Sequence, residues 1–411
     1  MVSESSEAQP PRLASLTKYI PYPGIAHAGG RYVGAHYRAL ASEWAIDATA
    51  PLTTDNADAS RRVEDVASVA LMRGRGLFAG GRLKPVADVE AAWAGSAVTR
   101  NVRNEFRRPD AAVWDRLHRA DVIEFQWSEM FALAEPVRRR MPDGFLVGIA
   151  HDVITQRWER AAAAARAPLS SAYRVAAARS RGREQRSLAQ LDVVIVFSQK
   201  DADLARELSP GTPVEVVLPG LGPEGTAPAR APHAAEPIVL FTGALNRADN
   251  HNGIEWFLQR VWPAVLRAVP SARLVVAGAH ARPGLERMVA RADRAALTGY
   301  LESLEPSYAE ASVFIAPLFT GAGVKFKTID AMVRGVPVVA TPVGAEGIGD
   351  ADLFAGLTDD ADEFAASVVG ALAADGSART RRAQQWAESR YGVTAFDRRL
   401  RGLYAGFPRT R

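Results

Sequence analysis

The 411-residue chain contains no cysteine. Disulfides, thiolate catalysis and metal sites built on cysteine are therefore excluded. A chain without cysteine suits a reducing compartment, and we expect a cytoplasmic protein. Residues 1–12 are polar, contain two prolines and lack the basic and apolar blocks of a signal peptide, so they predict a disordered lead.

Long hydrophobic runs are also missing. No stretch approaches the roughly 18–20 apolar residues that a transmembrane helix needs. Hydrophobic residues make up 48% of the chain and charged residues 23%, which is ordinary for a globular protein. At this length two domains are the natural expectation, because a single hydrophobic core seldom extends so far.

Acidic residues are scarce in one stretch. Between Arg157 and Arg186, eight arginines stand against two glutamates. Such a surface could contact an anionic membrane or an anionic substrate, or it could be a solvated helix pair. No nucleic-acid partner is expected, because the stretch fits no known reader motif.

Strand-like and helix-like segments alternate along both halves of the chain. The apolar runs that predict strands lie at 16–20, 121–125, 145–150, 191–197, 238–242, 273–277, 296–300, 313–316 and 336–341. Alternation of this kind indicates parallel sheets that are covered by helices on both faces.

A segment rich in proline, glycine and alanine separates the two series. We therefore predict an α/β protein with two doubly wound, Rossmann-like domains that face each other across a cleft. The expected boundaries are 13–220 for the first domain, 221–236 for the linker and 237–385 for the second domain. Residues 386–411 are expected to form a helix that crosses back to the first domain.

The strongest signal for a binding site begins with Gly321, Ala322, Gly323 and Val324. Small residues let the backbone approach a ligand closely. Lys325 and Lys327 then open a predicted helix, whose free N–H groups favour an anion. Asp330 lies about one turn after Lys327 and could reach past a phosphate to a sugar hydroxyl. The pattern therefore predicts a site for a nucleoside diphosphate that carries a further group.

Residues 241–347 resemble the donor-binding domain of family 4 glycosyltransferases of GT-B architecture. The matching residues include Phe241-Thr242-Gly243, Asp249-Asn250, Trp256-Phe257-Leu258, Ala277-Gly278, Leu297-Thr298-Gly299-Tyr300, Ala316-Pro317-Leu318, Gly321-Ala322-Gly323, Lys327 and Gly344-Ala345-Glu346-Gly347. The first half resembles the family at fewer places, namely Ala28-Gly29-Gly30, Phe125-Gln126-Trp127, His151-Asp152 and Ser198.

The resemblance implies transfer of a sugar from a nucleoside-diphosphate sugar with retained anomeric configuration. The acceptor could be a glycan, a lipid-linked molecule or a small molecule. No cofactor and no compulsory metal ion are expected. The predicted catalytic residues are His151, Lys325 and Lys327. The predicted donor-binding residues are Gly29, Gly30, Gly243, Asn250, Gly278, Tyr300, Leu301, Gly321, Ala322, Gly323, Val324 and Asp330, and the acceptor side is expected to include Gln126 and Trp127.

The sequence departs from the family pattern around the diphosphate. Ala244 stands where many relatives have an arginine, and Asn250 stands near a lysine position, so we expect Lys325 and Lys327 to supply the positive charge. The family's paired glutamates correspond to Ala322 and Asp330. Backbone N–H groups of the glycine loop would then replace the first carboxylate.

Two alternatives share the architecture, namely a catalytically silent homologue that acts as an interaction partner and a nucleotide-sugar epimerase. A dinucleotide-dependent oxidoreductase is not supported, because His27-Ala28-Gly29-Gly30 does not provide G-x-G-x-x-G. A P-loop NTPase is not supported either, because Phe326 stands where the G-K-[ST] motif needs glycine.

Overall fold

The computed structural model describes residues 9–23, 25, 28–63, 66–72, 98, 100–108, 111–164, 167–222, 236–320, 324–373 and 378–409. The chain divides into two compact units. The N-terminal unit comprises residues 1–218 and 397–411, and the C-terminal unit comprises residues 219–396. Most of the predicted linker, from 223 to 235, and the predicted lead up to residue 8 lie outside the described residues.

The N-terminal unit is built on a parallel sheet. Its described strands are β1 (Arg12–Thr17), β2 (Ala45–Pro51), β3 (Ser68–Met72), β4 (Val122–Gln126), β5 (Phe145–Ala150), β6 (Val193–Val196) and β7 (Val214–Val216). Their order in the sheet is β3-β2-β1-β4-β5-β6-β7, so the chain reverses its direction of growth after β3. Ligands bind at such reversals in doubly wound sheets, outside the carboxyl ends of the strands.

Helices connect these strands. The described ones are α1 (Ala28–Leu40), α2 (Thr54–Ala59), α3 (Arg100–Glu105), α4 (Ala112–His118), α5 (Ala134–Arg140), α6 (Ile154–Ala164), α7 (Leu169–Leu188) and α8 (Gln199–Leu208), with a 3-10 helix at Ser128–Leu133. One side of α1 packs into the core, because Val33, Tyr37 and Leu40 are all fully buried.

The C-terminal unit repeats the plan with a second parallel sheet. Its described strands are β8 (Ile238–Thr242), β9 (Arg273–Ala277), β10 (Ala295–Gly299), β11 (Ala311–Ala316), β12 (Val338–Ala340) and β13 (Gly356–Leu357). They are arranged in the order β10-β9-β8-β11-β12-β13. Here the reversal falls between β8 and β11, which places the loops after these two strands side by side.

The described helices of this unit follow the same alternation. They are α9 (Ala248–Trp256), α10 (Trp262–Ala268), α11 (Pro283–Arg291), α12 (Glu305–Glu310), α13 (Phe326–Val333), α14 (Ala361–Ala373) and α15 (Ala378–Tyr391), with a π-helical turn at Phe257–Val261 and a 3-10 helix at Ala351–Leu353. The last helix, α16 (Val393–Ala405), begins in the C-terminal unit, and from Asp397 onward it belongs to the N-terminal unit.

The predicted fold class, two doubly wound α/β domains in one chain, is confirmed. Strands such as β5 and β11 are buried along almost their whole length, as expected of strands with helices on both faces. No described helix is both long and apolar enough to cross a membrane.

Two predictions about the first strands were wrong. The strand expected at 16–20 is β1 at Arg12–Thr17, because the polar Ser15 is buried through a 2.7 Å contact between its Oγ and the hydroxyl of Tyr37. Strand β2 was missed altogether. Its Asp47 interrupts the apolar pattern, yet it is buried and paired with Arg12 at 2.9 Å.

Candidate active site

Lys327 lies at the carboxyl edge of the C-terminal sheet, at the start of α13. Its ammonium nitrogen donates a hydrogen bond to the side-chain oxygen of Asn250 and lies 4.4 Å from the centre of the Phe241 ring. The side-chain nitrogen of Asn250 in turn donates to the carbonyl oxygen of Ala244 at 2.8 Å. The sequence placed Lys327 and Asn250 in one donor site, and the fold brings them into contact.

The surroundings of Lys327 disfavour its charged form. Burial is the main cause that lowers the pKa of Lys327 to about 7, and the positive charges of Arg247 and Lys325 act in the same direction. The carboxylate of Asp249 opposes them. Because burial and neighbouring cations both disfavour the charged form, a bound anion would raise the pKa of Lys327 and gain a charge-assisted hydrogen bond.

Lys325 comes directly before α13 and is only 8% exposed. Its ammonium nitrogen lies 3.4 Å from a carboxylate oxygen of Glu346. Val324 is half-buried, and its Cγ2 would lie 3.1 Å from any Cβ at Gly347. Gly321, Ala322 and Gly323, the other predicted members of this loop, lie outside the described residues.

Of two predicted glycines, Gly243 packs beside Lys327 and Gly278 packs against Gly243. Gly243 follows β8, and a Cβ there would come within 2.8 Å of the Asn250 side-chain nitrogen and 3.1 Å of the Lys327 nitrogen. Gly278 follows β9, where a Cβ would lie only 1.9 Å from the carbonyl oxygen of Gly243. Both positions therefore require glycine for packing, independently of any ligand.

The carboxylate of Asp330 is hydrogen-bonded to other residues of the protein. One oxygen of its carboxylate accepts hydrogen bonds from the Arg334 guanidinium and, at 3.1 Å, from the backbone N–H of Gly222. Arg334 also pairs with Glu305 and lies over the ring of Tyr308 at 4.6 Å. Asp330, which we expected to reach a sugar hydroxyl, thus has two protein partners on one of its carboxylate oxygens.

Tyr300 and Leu301 follow β10 at the same carboxyl edge. Tyr300 is 57% exposed and Leu301 is half-buried. Two strand spacings of roughly 5 Å each separate β10 from β8, so this pair lies farther from Lys327 than Gly278 does.

In the N-terminal unit, His151 lies in a cluster of aromatic rings. Its imidazole is stacked on the indole of Trp127, with centroids 4.0 Å apart and an angle of 14° between the planes. The rings of Tyr32 and Phe197 meet it edge-on at 5.2 and 5.0 Å. The Nε2 atom of His151 lies 3.5 Å from the side-chain oxygen of Gln126. The fold thus brings His151, predicted to be catalytic, together with Gln126 and Trp127, both predicted on the acceptor side.

Gly29 is placed beside this cluster at the start of α1. A Cβ at Gly29 would lie 1.9 Å from the Trp127 ring, so glycine is required there to admit the indole. Trp127 itself has a φ of 86°, a backbone conformation that is uncommon for a bulky residue. Gly30 is buried in the same turn of α1.

Two groups of charged residues next to these sites were missed from sequence. Glu305 and Arg334 lie next to Asp330, and a spacing of four residues between Asp330 and Arg334 was the one available signal. Glu124 is fully buried on β4 and bonds to His36 and Tyr404 at 2.9 and 2.6 Å. Nothing in the sequence connects Tyr404 with residues so far away along the chain.

The geometry defines a pair of partly or fully buried lysines in one Rossmann-like unit and an imidazole held by aromatic rings in the other. Two such units in a single chain are the GT-B fold class. Residues 236–374, about a third of the chain, match the family model described as Glycosyl transferases group 1. The predicted donor-binding domain is the part that matches.

A curated relative matches part of the chain. An uncharacterized 44.6 kDa protein from the cps region of Klebsiella pneumoniae is 36% identical over 119 residues. The alignment covers 27% of this chain and 30% of that protein, so the chain spans less than a third of the length of the relative that it matches.

Solved structures resemble the whole chain. Sucrose-phosphate synthase from Thermosynechococcus elongatus has a TM-score of 0.67 and 18% identity, with 96% of this chain and 98% of that chain covered. WaaG, a glycosyltransferase involved in lipopolysaccharide biosynthesis, has a TM-score of 0.62, 15% identity and coverage of 96% and 100%. Anabaena Alr3699/HepE in complex with UDP-glucose has a TM-score of 0.62, 12% identity and coverage of 96% and 99%. At identities this low, the structural similarity establishes a shared fold and nothing further.

Proposed function

We propose that this protein is a glycosyltransferase that moves a sugar from a nucleoside-diphosphate sugar to an acceptor with retained anomeric configuration. The acceptor is a glycan, a lipid-linked molecule or a small molecule, and the reaction takes place in the cytoplasm. Hexosyl transfer is the expected class of reaction.

The pair of lysines at the start of α13, Lys325 and Lys327, is the observation that carries this proposal. Retaining transfer without a protein nucleophile depends on stabilising the departing diphosphate and on holding the acceptor on the same face of the sugar. Lys325 and Lys327 bring two ammonium groups to the carboxyl edge of the sheet, beside glycine backbone at Gly243. In this structure the ammonium groups of Lys327 and Lys325 contact Asn250 and Glu346, and a diphosphate would bind the same nitrogens.

The comparisons support the same assignment. The matched family model covers the unit that contains Lys327 and Asn250. One protein of the same fold has been crystallised with UDP-glucose, which supports a nucleoside-diphosphate sugar as the donor. WaaG acts in lipopolysaccharide biosynthesis, which supports a glycan or glycolipid of the cell envelope as the acceptor.

The first test is donor binding. Purified protein should be melted with a panel of nucleoside diphosphates and nucleoside-diphosphate sugars at millimolar concentration. A ligand at about 100 times its Kd adds about 2.7 kcal/mol of stability, so the preferred donor should raise the Tm by several degrees. If no member of the panel shifts the Tm, the enzyme proposal fails. If one binds, loss of the sugar to water or to an acceptor separates a transferase from a silent homologue.

Product analysis then separates the remaining alternative. A transferase releases the nucleoside diphosphate and forms a new glycosidic bond, whereas an epimerase returns an altered sugar. We also propose that transfer needs no compulsory metal ion. Turnover should therefore persist after EDTA treatment and exhaustive dialysis, and loss of turnover that Mg²⁺ or Mn²⁺ restores would contradict this point.

Peripheral contact with an anionic membrane is a further part of the proposal. Helix α7 carries Arg179, Arg183 and Arg186. The pKa of Arg183 is lowered, mainly by burial and then by the positive charges of Arg103, Arg179 and Arg186. These cations are therefore close enough to repel one another, and anionic headgroups would relieve that repulsion.

Vesicle sedimentation at low salt tests this contact. Vesicles with anionic lipid should carry the protein down, and a variant with Arg179, Arg183 and Arg186 all changed to Gln should stay in solution. The matched control changes Arg379, Arg381 and Arg382 of α15 to Gln, which removes the same charge from the other unit. Equal losses in both variants would indicate an effect of net charge alone.

A further inference from the structure

Two polar side chains of β4, Glu124 and Gln126, connect the middle of the N-terminal sheet to the imidazole of His151. Glu124 and Gln126 lie two residues apart on β4, so their side chains are on the same face, and both are fully buried. The side-chain nitrogen of Gln126 donates to a Glu124 carboxylate oxygen at 3.0 Å. The side-chain oxygen of Gln126 lies 3.5 Å from the Nε2 atom of His151.

The ionisation of Glu124 sets the direction of these hydrogen bonds. Burial acts to raise the pKa of Glu124, but the charge and hydrogen bond of His36, with hydrogen bonds from Ser15 and Tyr404, outweigh it and lower the pKa. The ionised carboxylate only accepts, so Gln126 must turn its NH2 group towards Glu124. Its carbonyl oxygen is then the atom that meets His151.

An amide oxygen accepts but cannot donate, so the Nε2 atom of His151 must carry the hydrogen. We propose that Glu124 and Gln126 are positioning residues that hold His151 in its Nε2–H tautomer, with Nδ1 as the acceptor nitrogen. This inference rests on the proposed function for its catalytic meaning. A neutral imidazole of this form accepts a hydrogen bond from a sugar hydroxyl through Nδ1 and has no attraction for a phosphate oxygen there.

The aromatic rings complete the positioning. Trp127 and Phe197 fix the plane of the imidazole, but a stacked ring can still turn within its own plane. The contact with Gln126 removes that freedom because it selects the nitrogen that points to β4. The aromatic rings therefore determine the position of the His151 imidazole and Gln126 determines its tautomer, so the two properties can be tested separately.

The other oxygen of Glu124 is held by residues from both ends of the chain. The Tyr404 hydroxyl donates to it at 2.6 Å from helix α16, and the Nε2 atom of His36 lies 2.9 Å away on α1. Tyr404, His36 and Glu124 are all fully buried. The last helix thus supports a carboxylate that acts on His151 through Gln126.

Nitrogen-15 NMR of histidine-labelled protein tests the tautomer directly. Two-bond proton–nitrogen correlations distinguish Nε2–H from Nδ1–H, and the spectrum of His151→Gln identifies the His151 signals by their loss. We expect the Nε2–H form in the wild type and a mixture of tautomers in Gln126→Leu. Gln199→Leu is the matched control, because it makes the same change at an exposed position on α8, and it should leave the signals unchanged. An Nδ1–H wild type, or an unaltered tautomer in Gln126→Leu, would overturn the inference.

Kinetics supply a second readout. At saturating donor, Gln126→Leu should transfer sugar about tenfold more slowly, with the Kd for the nucleoside diphosphate little changed. If Gln126→Leu does not fold, Glu124→Gln serves instead, because it keeps the shape of the side chain while removing the obligate acceptor, and the tautomer preference should weaken. The NMR result needs no donor. If His151 is in the Nε2–H form but the protein binds no nucleotide, the proposed function alone is refuted. If the enzyme is active but His151 is in the Nδ1–H form, the positioning role of Glu124 and Gln126 alone is refuted.

Discussion

The ammonium group of Lys327 donates its hydrogen bond to the side-chain oxygen of Asn250, where a ligand phosphate would be a stronger acceptor. Asn250 is fixed by its own bond to Ala244, so helices α9 and α13 of the C-terminal unit meet through this pair. In the resemblance to family 4 glycosyltransferases, position 250 stood near a lysine. Asn250 thus contacts a lysine that comes from another element, Lys327 of α13.

Removal of Lys327 should slow transfer. We expect Lys327→Ala to reduce kcat/KM by at least tenfold, which corresponds to about 1.4 kcal/mol of transition-state stabilisation. The measurement is initial-rate kinetics with the donor found in the thermal screen. Lys200→Ala removes an exposed lysine of the other unit and should behave like the wild type. Wild-type turnover by Lys327→Ala would exclude this side chain from the mechanism.

Nucleotide binding should depend on pH through Lys327. In the free protein the pKa of Lys327 is about 7, and a bound diphosphate should raise it. The pKa of Lys327 is therefore higher in the complex than in the free protein. The affinity for nucleotide is at its maximum below about pH 7 and falls between pH 7 and the pKa of Lys327 in the complex. The loss should approach tenfold in Kd per pH unit. Binding above pH 7 should therefore take up about one proton.

Calorimetry in buffers with different ionisation enthalpies measures that proton directly. Lys327→Met should bind more weakly at pH 7 and show little proton uptake between pH 7 and 9. An affinity that is flat over this range in the wild type would contradict the depressed pKa of Lys327.

Much of the fold followed from the sequence because the buried strands are continuous apolar runs. Strands β5, β8 and β9 have the predicted bounds. The prediction failed where tertiary contacts bury polar residues, as at Ser15 in β1 and Asp47 in β2. Periodicity cannot reveal such strands, because the partners that make burial favourable are distant in the sequence.

The candidate site was less predictable for a related reason. Motifs identified Lys327, Asn250, Gln126 and His151, each of which lies at the end of a strand or the start of a helix. They could not identify Glu124, which supports His151 from inside the sheet. A residue that acts through another leaves no motif of its own, and only its contacts disclose it.

Arg334 should contribute strongly to stability. Its guanidinium is 9% exposed and pairs with the carboxylates of Asp330 and Glu305. Arg334→Gln leaves two carboxylates without their cation, and we expect a loss of about 2–3 kcal/mol, less than for a fully buried pair because Glu305 is partly solvated. Urea denaturation measures it. Arg139→Gln breaks an exposed pair with Glu135 and should cost less than about 0.5 kcal/mol. Similar losses in the free energy of unfolding for the two variants would show that the Arg334 ion pairs stabilise the protein no more than an exposed pair does.

Gly278 separates a packing role from a ligand role. A Cβ at position 278 would lie 1.9 Å from the Gly243 carbonyl oxygen, which cannot move without shifting the adjacent Ala244, whose carbonyl accepts the Asn250 hydrogen bond. We expect Gly278→Ala to destabilise the protein by about 1–3 kcal/mol. Gly284→Ala is the control, because a Cβ on α11 meets nothing within 4 Å, and it should stabilise by about 0.5–1 kcal/mol. Thermal melts with and without nucleotide resolve the two roles. If Gly278→Ala melts like the wild type when free but loses its nucleotide-induced shift, the backbone at 278 contacts the ligand, and close packing is not its main function.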